Sequence, residues 1–177
     1  VIPCNISDKT ALEMLVEDTR SQLGKIDILV CNAASNPFFG SIKGIPDDAF
    51  EKIMNNNIKS NHNLCQMVIP EMIENKGGSI IVISSIGGLN ASPVIGAYNI
   101  SKAADLMLVK NYASEFGKFN VRTNCIAPGL IRTDFAKALW ENPEILKSAL
   151  TGTPQNRIGE PDELGGAAVF LASAAGI

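Results

Sequence analysis

Apolar residues along the chain follow two spacings, which predict short strands separated by helices. Continuous apolar runs predict strands at residues 26–30, 79–84 and 121–126, and residues 1–4 resemble the end of a further strand. Between these runs, apolar residues recur every three or four positions, as on one face of a helix. This spacing predicts helices over 8–23, 47–75, 96–116 and about 160–172, and one or two short helices within 133–150. Ser7 is the predicted N-cap of the first helix, and a break is expected before Pro70 in the second.

The alternation of strands with long helices predicts a parallel sheet, because parallel neighbours require a crossover connection. The strand at 26–30 is short, apolar and contains β-branched residues, so we expect it to be fully buried. No repeat or second domain is visible in the 177 residues, which predicts one α/β domain. Asn32, Ser85 and Pro128-Gly129 follow the three strands and would lie at the carboxyl edge of the sheet, where open α/β sheets bind ligands.

Tyr98 and Lys102 are four residues apart, so their side chains share one face of the predicted helix 96–116. With Ser85 they would bring together a phenol, an ammonium and a hydroxyl, which can transfer a proton to or from an oxygen. Taken alone, a tyrosine and a lysine at this spacing are usually a coincidence, so the interpretation depends on the neighbouring segments. Ser84 is the alternative to Ser85, although the spacing to Tyr98 favours Ser85.

Composition and charge argue against several classes of function. The chain is 46% hydrophobic and 19% charged, with a net charge of −3 and no long run of either sign, which argues against nucleic acid or an anionic membrane surface as its main partner. No apolar stretch approaches the roughly 18 residues of a membrane span, and the first residues lack the pattern of a signal peptide. Four dispersed cysteines and one histidine predict no metal site, and instead free thiols in the cytoplasm or another reducing intracellular compartment.

Six segments of the chain resemble motifs of the short-chain dehydrogenase/reductase family in its single-domain form. In chain order they are Cys31-Asn32-Ala33-Ala34, Asn57-Ile58, Ser85, Tyr98-Asn99-Ile100-Ser101-Lys102, Pro128-Gly129-Leu130-Ile131-Arg132-Thr133 and Gly159-Glu160-Pro161-Asp162-Glu163. The order and spacing of these segments match the family nearly from end to end. Within the family, the chain is most similar to carbonyl reductases and 3-oxoacyl-carrier-protein reductases. The resemblance implies a three-layer, doubly wound parallel sheet of the Rossmann type.

The resemblance also implies an NAD(P)-dependent oxidoreductase that acts on a ketone, an aldehyde or a secondary alcohol. Tyr98 would be the general acid or base, Ser85 would hold the substrate oxygen, and Lys102 would hold the nicotinamide ribose. The charges of Lys102 and the oxidised nicotinamide would lower the pKa of Tyr98 from its usual value near 10. Asn57 would order a water that links Lys102 to solvent, although the neighbouring Asn55 and Asn56 compete for the inward position.

The cofactor implied by the resemblance is NAD or NADP, with NADP favoured by the similarity to carbonyl reductases. The residues that would contact it are Asn5, Ile6, Asn32, Ala33, Ala34, Tyr98, Lys102, Pro128, Gly129, Ile131 and Thr133. Three positions depart from the family pattern: Cys31 and Ala34 replace asparagine and glycine, and Asn5 replaces an aspartate. We therefore expect a weaker or altered contact with the adenine.

The family's glycine-rich Thr-Gly-x-x-x-Gly-x-Gly loop, its first two strands and its last strand have no counterpart in residues 1–177. Without those strands, the strand at 26–30 would keep a bare, apolar edge. The hypothesis that follows is that the chain is an internal piece of a longer one, incomplete at both ends.

Two further alternatives remain at this point. The first is a family member that binds a nucleotide or a partner without catalysis, or an inactive fragment, although the set Ser85, Tyr98, Lys102 and Asn57 favours the enzyme. The second concerns helices 47–75 and 96–117, which by resemblance would join subunits into a homodimer or homotetramer, and which could equally cover the sheet alone. Phe135 and Trp140 would be lid residues over a small-molecule carbonyl or alcohol substrate, or simply packing of a short helix.

Overall fold

A three-stranded parallel sheet lies at the centre of the computed structural model, which describes residues 1–176. The strands are β1 (Ile28–Cys31), β2 (Gly78–Ile83) and β3 (Val121–Ile126), and they stand side by side in that order. β1 pairs with β2 from Ile28 opposite Ser79, and β2 pairs with β3 from Gly78 opposite Val121. The predicted parallel α/β arrangement of the Rossmann type is therefore confirmed.

Seven α-helices connect and cover the strands in the described residues. They are α1 (Lys9–Leu23), α2 (Asp47–Met54), α3 (Ser60–Glu74), α4 (Gly96–Phe116), α5 (Lys137–Trp140), α6 (Pro143–Leu150) and α7 (Gly165–Ala172). Pro143 starts α6 and separates it from α5, so the segment 133–150 holds two short helices. A 3₁₀ turn at Pro161–Leu164, closed by a capping box between Glu160 and Glu163, leads into α7.

The two faces of β2 pack against different helices, which gives the fold its three layers. Ile80 and Val82 alternate onto one face, where they join buried residues of α3 and α4 such as Val68 and Val109. Ser79 lies on the opposite face, and its hydroxyl donates to the Leu171 carbonyl of α7 across 2.9 Å. The sheet is thus held between α3 and α4 on one side and α7 on the other.

Two expectations for the N-terminal segment are wrong. Residues 1–5 form no strand, because no other segment of residues 1–176 pairs with their backbone. The N-cap of α1 is Asp8 rather than Ser7, since Asp8 Oδ1 accepts hydrogen bonds from the backbone of Thr10 at 2.9 Å and Ala11 at 3.3 Å. The Ser7 hydroxyl instead donates to Asn5 Oδ1 at 2.9 Å.

The predicted helix 47–75 is interrupted at a different place from the one expected. A π turn at Asn55–Lys59 separates α2 from α3, whereas α3 continues through Pro70. In this turn the Ser60 hydroxyl donates to the Asn56 carbonyl, and Asn61 Nδ2 donates to the Asn57 carbonyl, both across 2.6 Å. Side chains therefore satisfy backbone carbonyls where the ordinary helical ladder is disturbed.

The first strand is less buried than predicted. Ile28 and Val30 remain 49% and 47% exposed, whereas Cys31 is buried. The reason is position: β1 is the edge strand of the sheet formed by residues 1–176, so only β2 pairs with it there.

Candidate active site

The carboxyl ends of the three strands open into a cavity of about 1100 Å³. Its wall contains the polar candidates Ser85, after β2, and Tyr98 and Lys102, in the first two turns of α4. Topology explains this meeting, since β2 ends at the same edge of the sheet at which α4 begins. The structure thus brings together the hydroxyl, the phenol and the ammonium that the sequence singled out.

Ser85 and Tyr98 both lie on the cavity wall, and the Ser85 hydroxyl lowers the pKa of the Tyr98 phenol as a hydrogen-bonding neighbour. Ser85 caps a 3₁₀ turn, where its hydroxyl oxygen also accepts the Gly87 N–H at 3.0 Å. The Tyr98 ring packs against Phe135, with ring centroids 5.9 Å apart. The Ser84 hydroxyl is buried and donates a hydrogen bond to the Lys102 carbonyl at 2.8 Å, so it links the end of β2 to α4. Of the two serines, Ser85 is the one whose hydroxyl acts on the Tyr98 phenol.

Burial raises the pKa of Tyr98 above its usual value near 10. The hydrogen bond from Ser85 opposes this effect, and the negative charge of Asp105 adds to it. In the protein alone, the direction is therefore opposite to the lowering expected from the charges of Lys102 and the oxidised nicotinamide. Burial of the phenol is the largest cause, and the charge of Lys102, which is paired with Asp105, does not outweigh it.

Lys102 is an almost fully buried cation with two acceptors. Its ammonium donates to the Ile83 carbonyl at the end of β2 across 2.9 Å and to Asp105 Oδ2 across 3.0 Å. The side chains of Lys102 and Asp105 are only 2% and 0% exposed. Burial raises the pKa of Asp105, while Lys102 and Asn61 act in the opposite direction. Sequence reasoning missed Asp105, although its spacing of three residues from Lys102 on a helix was a usable signal.

Asn57 lies behind the cavity wall and is completely buried. Its Oδ1 accepts the Ser35 N–H at 2.8 Å, and its Nδ2 donates to the Ser35 carbonyl at 3.1 Å and to Ser101 Oγ at 2.9 Å. Asn55 is exposed, and Asn56 reaches only the Ser35 hydroxyl, at 3.1 Å. Of the three candidates, Asn57 is therefore the inward one. The π turn places it beside α4 rather than on the surface.

The expected cofactor contacts divide into two groups. Those on the cavity wall are Asn32, Ala33, Ala34, Tyr98, Lys102, Pro128, Gly129, Ile131 and Thr133. Asn5 and Ile6 lie outside the wall formed by the described residues, and the Asn5 side chain accepts hydrogen bonds from Ser7 instead. The structure therefore gathers the contacts expected after the three strands and leaves the two N-terminal ones apart.

The segment after β3 is held in place by a short backbone bridge. Arg132 N–H donates to the Gly159 carbonyl at 2.9 Å, and Gly159 N–H donates to the Leu130 carbonyl at 3.0 Å. Trp140 belongs to this packing, because its indole N–H donates to the Thr133 carbonyl at 2.9 Å. Phe135 differs, since it lines the cavity and is 55% exposed.

The cavity wall offers small side chains and polar groups to a nicotinamide dinucleotide. Ala33 and Ala34 are small, and a Cβ added at Gly129 would meet Ile86 Cδ1 at 3.9 Å, an ordinary contact. The Oδ1 atoms of Asn36 and Asn99, two residues of the wall, are buried and have no hydrogen-bond partner within residues 1–176.

Other kinds of site find less support in residues 1–176. The four cysteines are free, and Cys31 and Cys65 are buried. No three His, Cys, Asp or Glu side chains of these residues are grouped as a metal ion would require. None of the helices in this part of the chain combines the length and the apolar character needed to cross a membrane.

Comparison with known proteins agrees with this geometry. A family model described as enoyl-(acyl carrier protein) reductase matches residues 1–176. Dehydrogenase/reductase SDR family member 4 from Bos taurus is 43% identical over 170 residues, which are 96% of this chain and 61% of that protein. The human protein of the same name is 40% identical over 170 residues, which are again 96% of this chain and 61% of that protein. The chain thus spans about three fifths of the length of these curated relatives.

Solved structures give the same result. A 7α-hydroxysteroid dehydrogenase, in complex with NADH and 7-oxo glycochenodeoxycholic acid, superimposes with a TM-score of 0.91 at 39% identity, over 98% of this chain and 67% of the other. A gluconate 5-dehydrogenase from Burkholderia cenocepacia, in complex with NADP and tartrate, superimposes with a TM-score of 0.91 at 31% identity, over 96% and 66%. The chain therefore belongs to the short-chain dehydrogenase/reductase family.

Proposed function

We propose that the protein is an NAD(P)-dependent oxidoreductase that interconverts a ketone or aldehyde and the corresponding alcohol. One observation carries the proposal: the Ser85 hydroxyl, the Tyr98 phenol and the Lys102 ammonium share the wall of one cavity, with the ammonium 5.8 Å from the centre of the Tyr98 ring. Membership of the family and the dehydrogenases among the structural neighbours support it further.

Each polar group has a role in this chemistry. Bound NAD(P) would supply or accept the hydride. During reduction, Tyr98 gives its phenol proton to the substrate oxygen while Ser85 holds that oxygen by a hydrogen bond, and in the reverse direction Tyr98 takes the proton back. Lys102 holds the nicotinamide ribose hydroxyls. Asn57 fixes the backbone behind the site and orders the water that connects Lys102 with solvent.

The cofactor would lie along the carboxyl edge of the sheet. Asn32, Ala33 and Ala34 would contact its ribose and adenine side, whereas the segment of Pro128, Gly129, Ile131 and Thr133 would hold the carboxamide end. We assign Asn5 and Ile6 to the adenine side from their place in the sequence alone. Two of the structural neighbours contain NADH or NADP, which supports either cofactor, and the resemblance to carbonyl reductases favours NADP.

The substrate proposed is a small, uncharged carbonyl compound or alcohol, as for a carbonyl reductase. Ile86, Phe135 and Leu139 make one part of the cavity wall apolar, and the ammonium of Lys102 is already paired.

We also propose a homodimer or homotetramer through helices 47–75 and 96–117, because Ile100 and Met107 lie two turns apart on α4 and are 47% and 56% exposed. Free thiols support the cytoplasm or another reducing compartment.

The decisive experiment compares two tyrosine variants of the protein expressed from its complete coding sequence. Oxidation of NADPH and NADH is followed with a panel of ketones and aldehydes. Tyr98→Phe is expected to lower kcat by a factor of about 10² to 10⁴, the usual contribution of general acid catalysis. Tyr112→Phe is the matched control, because Tyr112 lies on the same helix and its hydroxyl bonds to His62 Nδ1 at 2.7 Å, away from the cavity. Equal activity of wild type and Tyr98→Phe would contradict the proposal.

One observation favours the alternative, a family member that binds a nucleotide without catalysis. Burial raises the pKa of Tyr98, which disfavours the phenolate that would act as the base in alcohol oxidation. Fluorescence titration with NADPH separates the two functions. Binding without turnover of any carbonyl in the panel would support the alternative, whereas binding with turnover that requires Tyr98 would exclude it.

A further inference from the structure

Asp105 is a completely buried carboxylate that the proposed chemistry does not use. It follows Lys102 by one helical turn on α4, and each of its two oxygens has a partner. Oδ2 lies 3.0 Å from the Lys102 ammonium, and Oδ1 accepts a hydrogen bond from Asn61 Nδ2 at 3.0 Å. A buried carboxylate with both oxygens engaged, one of them by a site residue, requires an explanation.

The same carboxylate connects two parts of the site. Asn61 uses its second Nδ2 hydrogen to reach the Asn57 carbonyl in the π turn, at 2.6 Å. Asp105 is thereby linked through Asn61 to the segment that carries Asn57, and directly to the ammonium of Lys102. The Lys102 ammonium also donates a hydrogen bond to the Ile83 carbonyl at 2.9 Å. Two of the three N–H donors of Lys102 are occupied in this way, which leaves one for a ligand.

Fold stability alone is a poor reason for this pair. A buried ion pair is costly to desolvate, and apolar residues of similar volume often stabilise a fold equally well or better. The pair is also placed where its charge matters to the phenol, because Asp105 acts electrostatically on Tyr98. An uncompensated Lys102 would favour the phenolate, whereas a neutralised Lys102 favours it much less.

We propose that Asp105 is a positioning residue, which holds the Lys102 ammonium at the cavity wall and balances its charge beside Tyr98. The proposal rests on the proposed function for the role of Tyr98 and Lys102, but the pair itself is a property of the protein. Its consequence is that Asp105 keeps the phenol protonated to higher pH and leaves Lys102 one directed donor.

The titratable groups around Asp105 come from three elements. Lys102 and Tyr98 lie on its own helix, Cys31 on β1 and Cys125 on β3. The pKa of Cys31 is raised by its hydrogen bond to Cys65, by burial and by the charge of Asp105. The pKa of Cys125 is raised by burial and then by the same charge. Both thiols therefore stay neutral at ordinary pH, and the phenol and the ammonium are the groups that Asp105 controls.

Titration of Tyr98 tests the proposal without any need for turnover. The ultraviolet absorbance of tyrosinate is measured against pH in wild type and in Asp105→Asn, each with and without Tyr98→Phe, so that the difference belongs to Tyr98. The asparagine removes the charge and keeps the size. We expect the midpoint of Tyr98 to fall by about one pH unit, since the negative charge that opposes phenolate is lost. An unchanged midpoint would overturn the proposal.

A matched variant excludes a general effect of net charge. Glu115→Gln removes one negative charge from an exposed position of the same helix, and it should leave the midpoint of Tyr98 where it is. An equal shift in Glu115→Gln and Asp105→Asn would contradict a specific role of Asp105.

Asp105→Glu tests the position of the carboxylate separately from its charge. It also provides the test of the proposal if Asp105→Asn does not fold. The longer side chain retains the charge, so the midpoint of Tyr98 should stay close to that of wild type. It displaces the ammonium, so kcat should fall by about tenfold or more, because small misplacements in a site have effects of this size. An unchanged kcat would count against positioning. If the wild type reduces no carbonyl, the proposed function fails, and the NADPH dissociation constant of the glutamate variant replaces kcat as the readout.

Discussion

Asn57 Nδ2 donates a hydrogen bond to Ser101 Oγ across 2.9 Å and so joins the π turn after α2 to the start of α4. Ser101 passes this connection on, because its hydroxyl donates to the Tyr98 carbonyl at 2.7 Å. The backbone that carries the phenol is therefore braced by an amide on another helix. Two side chains that the family pattern places far apart in sequence act here as one structural unit.

Asn57→Ala should destabilise the protein markedly. The change leaves the Ser35 N–H, the Ser35 carbonyl and Ser101 Oγ without their partner, and each buried polar group left unsatisfied costs about 1 to 3 kcal/mol. We therefore expect the free energy of unfolding in urea to fall by about 3 kcal/mol or more in total. Asn55→Ala is the control, because Asn55 is exposed and belongs to the same π turn. A similar loss in both variants would show that the turn, and not the bonds of Asn57, sets the stability.

Gly88→Ala should disturb the turn that carries Ser85. A Cβ at this position would come within 2.7 Å of the carbonyl carbon and oxygen of Lys102, which are backbone atoms of α4 and cannot turn away. Overpacking of this kind costs about 1 to 3 kcal/mol, and the displaced turn should also lower carbonyl reduction. Gly152→Ala, where a Cβ would meet no atom of the described residues within 4 Å, should leave stability within about 1 kcal/mol of wild type. Equal thermal melting temperatures of the two variants would contradict the close contact.

Those features of the site that depend on local spacing were predictable from the sequence. Tyr98 and Lys102 share a helix face because they are four residues apart, and Ser85 reaches them because it ends a strand whose crossover returns as α4. Strand and helix positions were predicted to within a few residues for the same reason. The three layers follow from the alternation of strand-like and helix-like spacing along the chain. This alternation does not depend on the exact end of any one element.

Features that depend on distant contacts were not predictable in this way. The π turn exists because the side chains of Ser60 and Asn61 donate hydrogen bonds to the carbonyls of Asn56 and Asn57. The pattern of apolar residues does not predict these hydrogen bonds. Pro70 was a plausible break point, yet α3 tolerates it. The burial of Asp105 likewise depends on what surrounds α4. As a result, the sequence predicted which side chains meet on the cavity wall, but not the neutralisation of Lys102 by Asp105.

The stability of wild type relative to Asp105→Asn should decrease as pH rises above about 4. Burial raises the pKa of Asp105 above its unfolded value of 3.8, so the folded state binds this proton more tightly than the unfolded state does. The contribution is fully present below the unfolded pKa and is lost as pH rises through the folded one. Urea denaturation at a series of pH values measures it, with a slope of at most about 1.4 kcal/mol per pH unit for one proton. A difference that grows with pH would contradict the prediction.

Glu163 should show the opposite pH dependence, and it serves as the comparison for Asp105. Hydrogen bonds from the Arg157 guanidinium and the Glu160 backbone lower the pKa of Glu163 from 4.5 to about 2. Because the folded value is the lower one, the stabilisation is present above pH 4.5 and is lost as pH falls towards 2. The difference between wild type and Glu163→Gln should therefore shrink on acidification, measured by the same denaturation series. A constant difference would indicate that the capping box does not depend on the charge of Glu163.

Arg122→Met should release the C-terminal end of α7 from the sheet. The guanidinium of Arg122 donates to the carbonyls of Leu171 at 2.6 Å and Ser173 at 3.1 Å, among others at the end of this helix. Methionine keeps part of the apolar stem but leaves these acceptors to water, so we expect a loss of about 1 to 3 kcal/mol in the free energy of unfolding. Lys25→Met, which breaks the exposed ion pair with Asp27, should cost less than about 1 kcal/mol. Hydrogen exchange locates the effect, because faster exchange in Arg122→Met should be concentrated in α7, whereas uniformly faster exchange would contradict a local role.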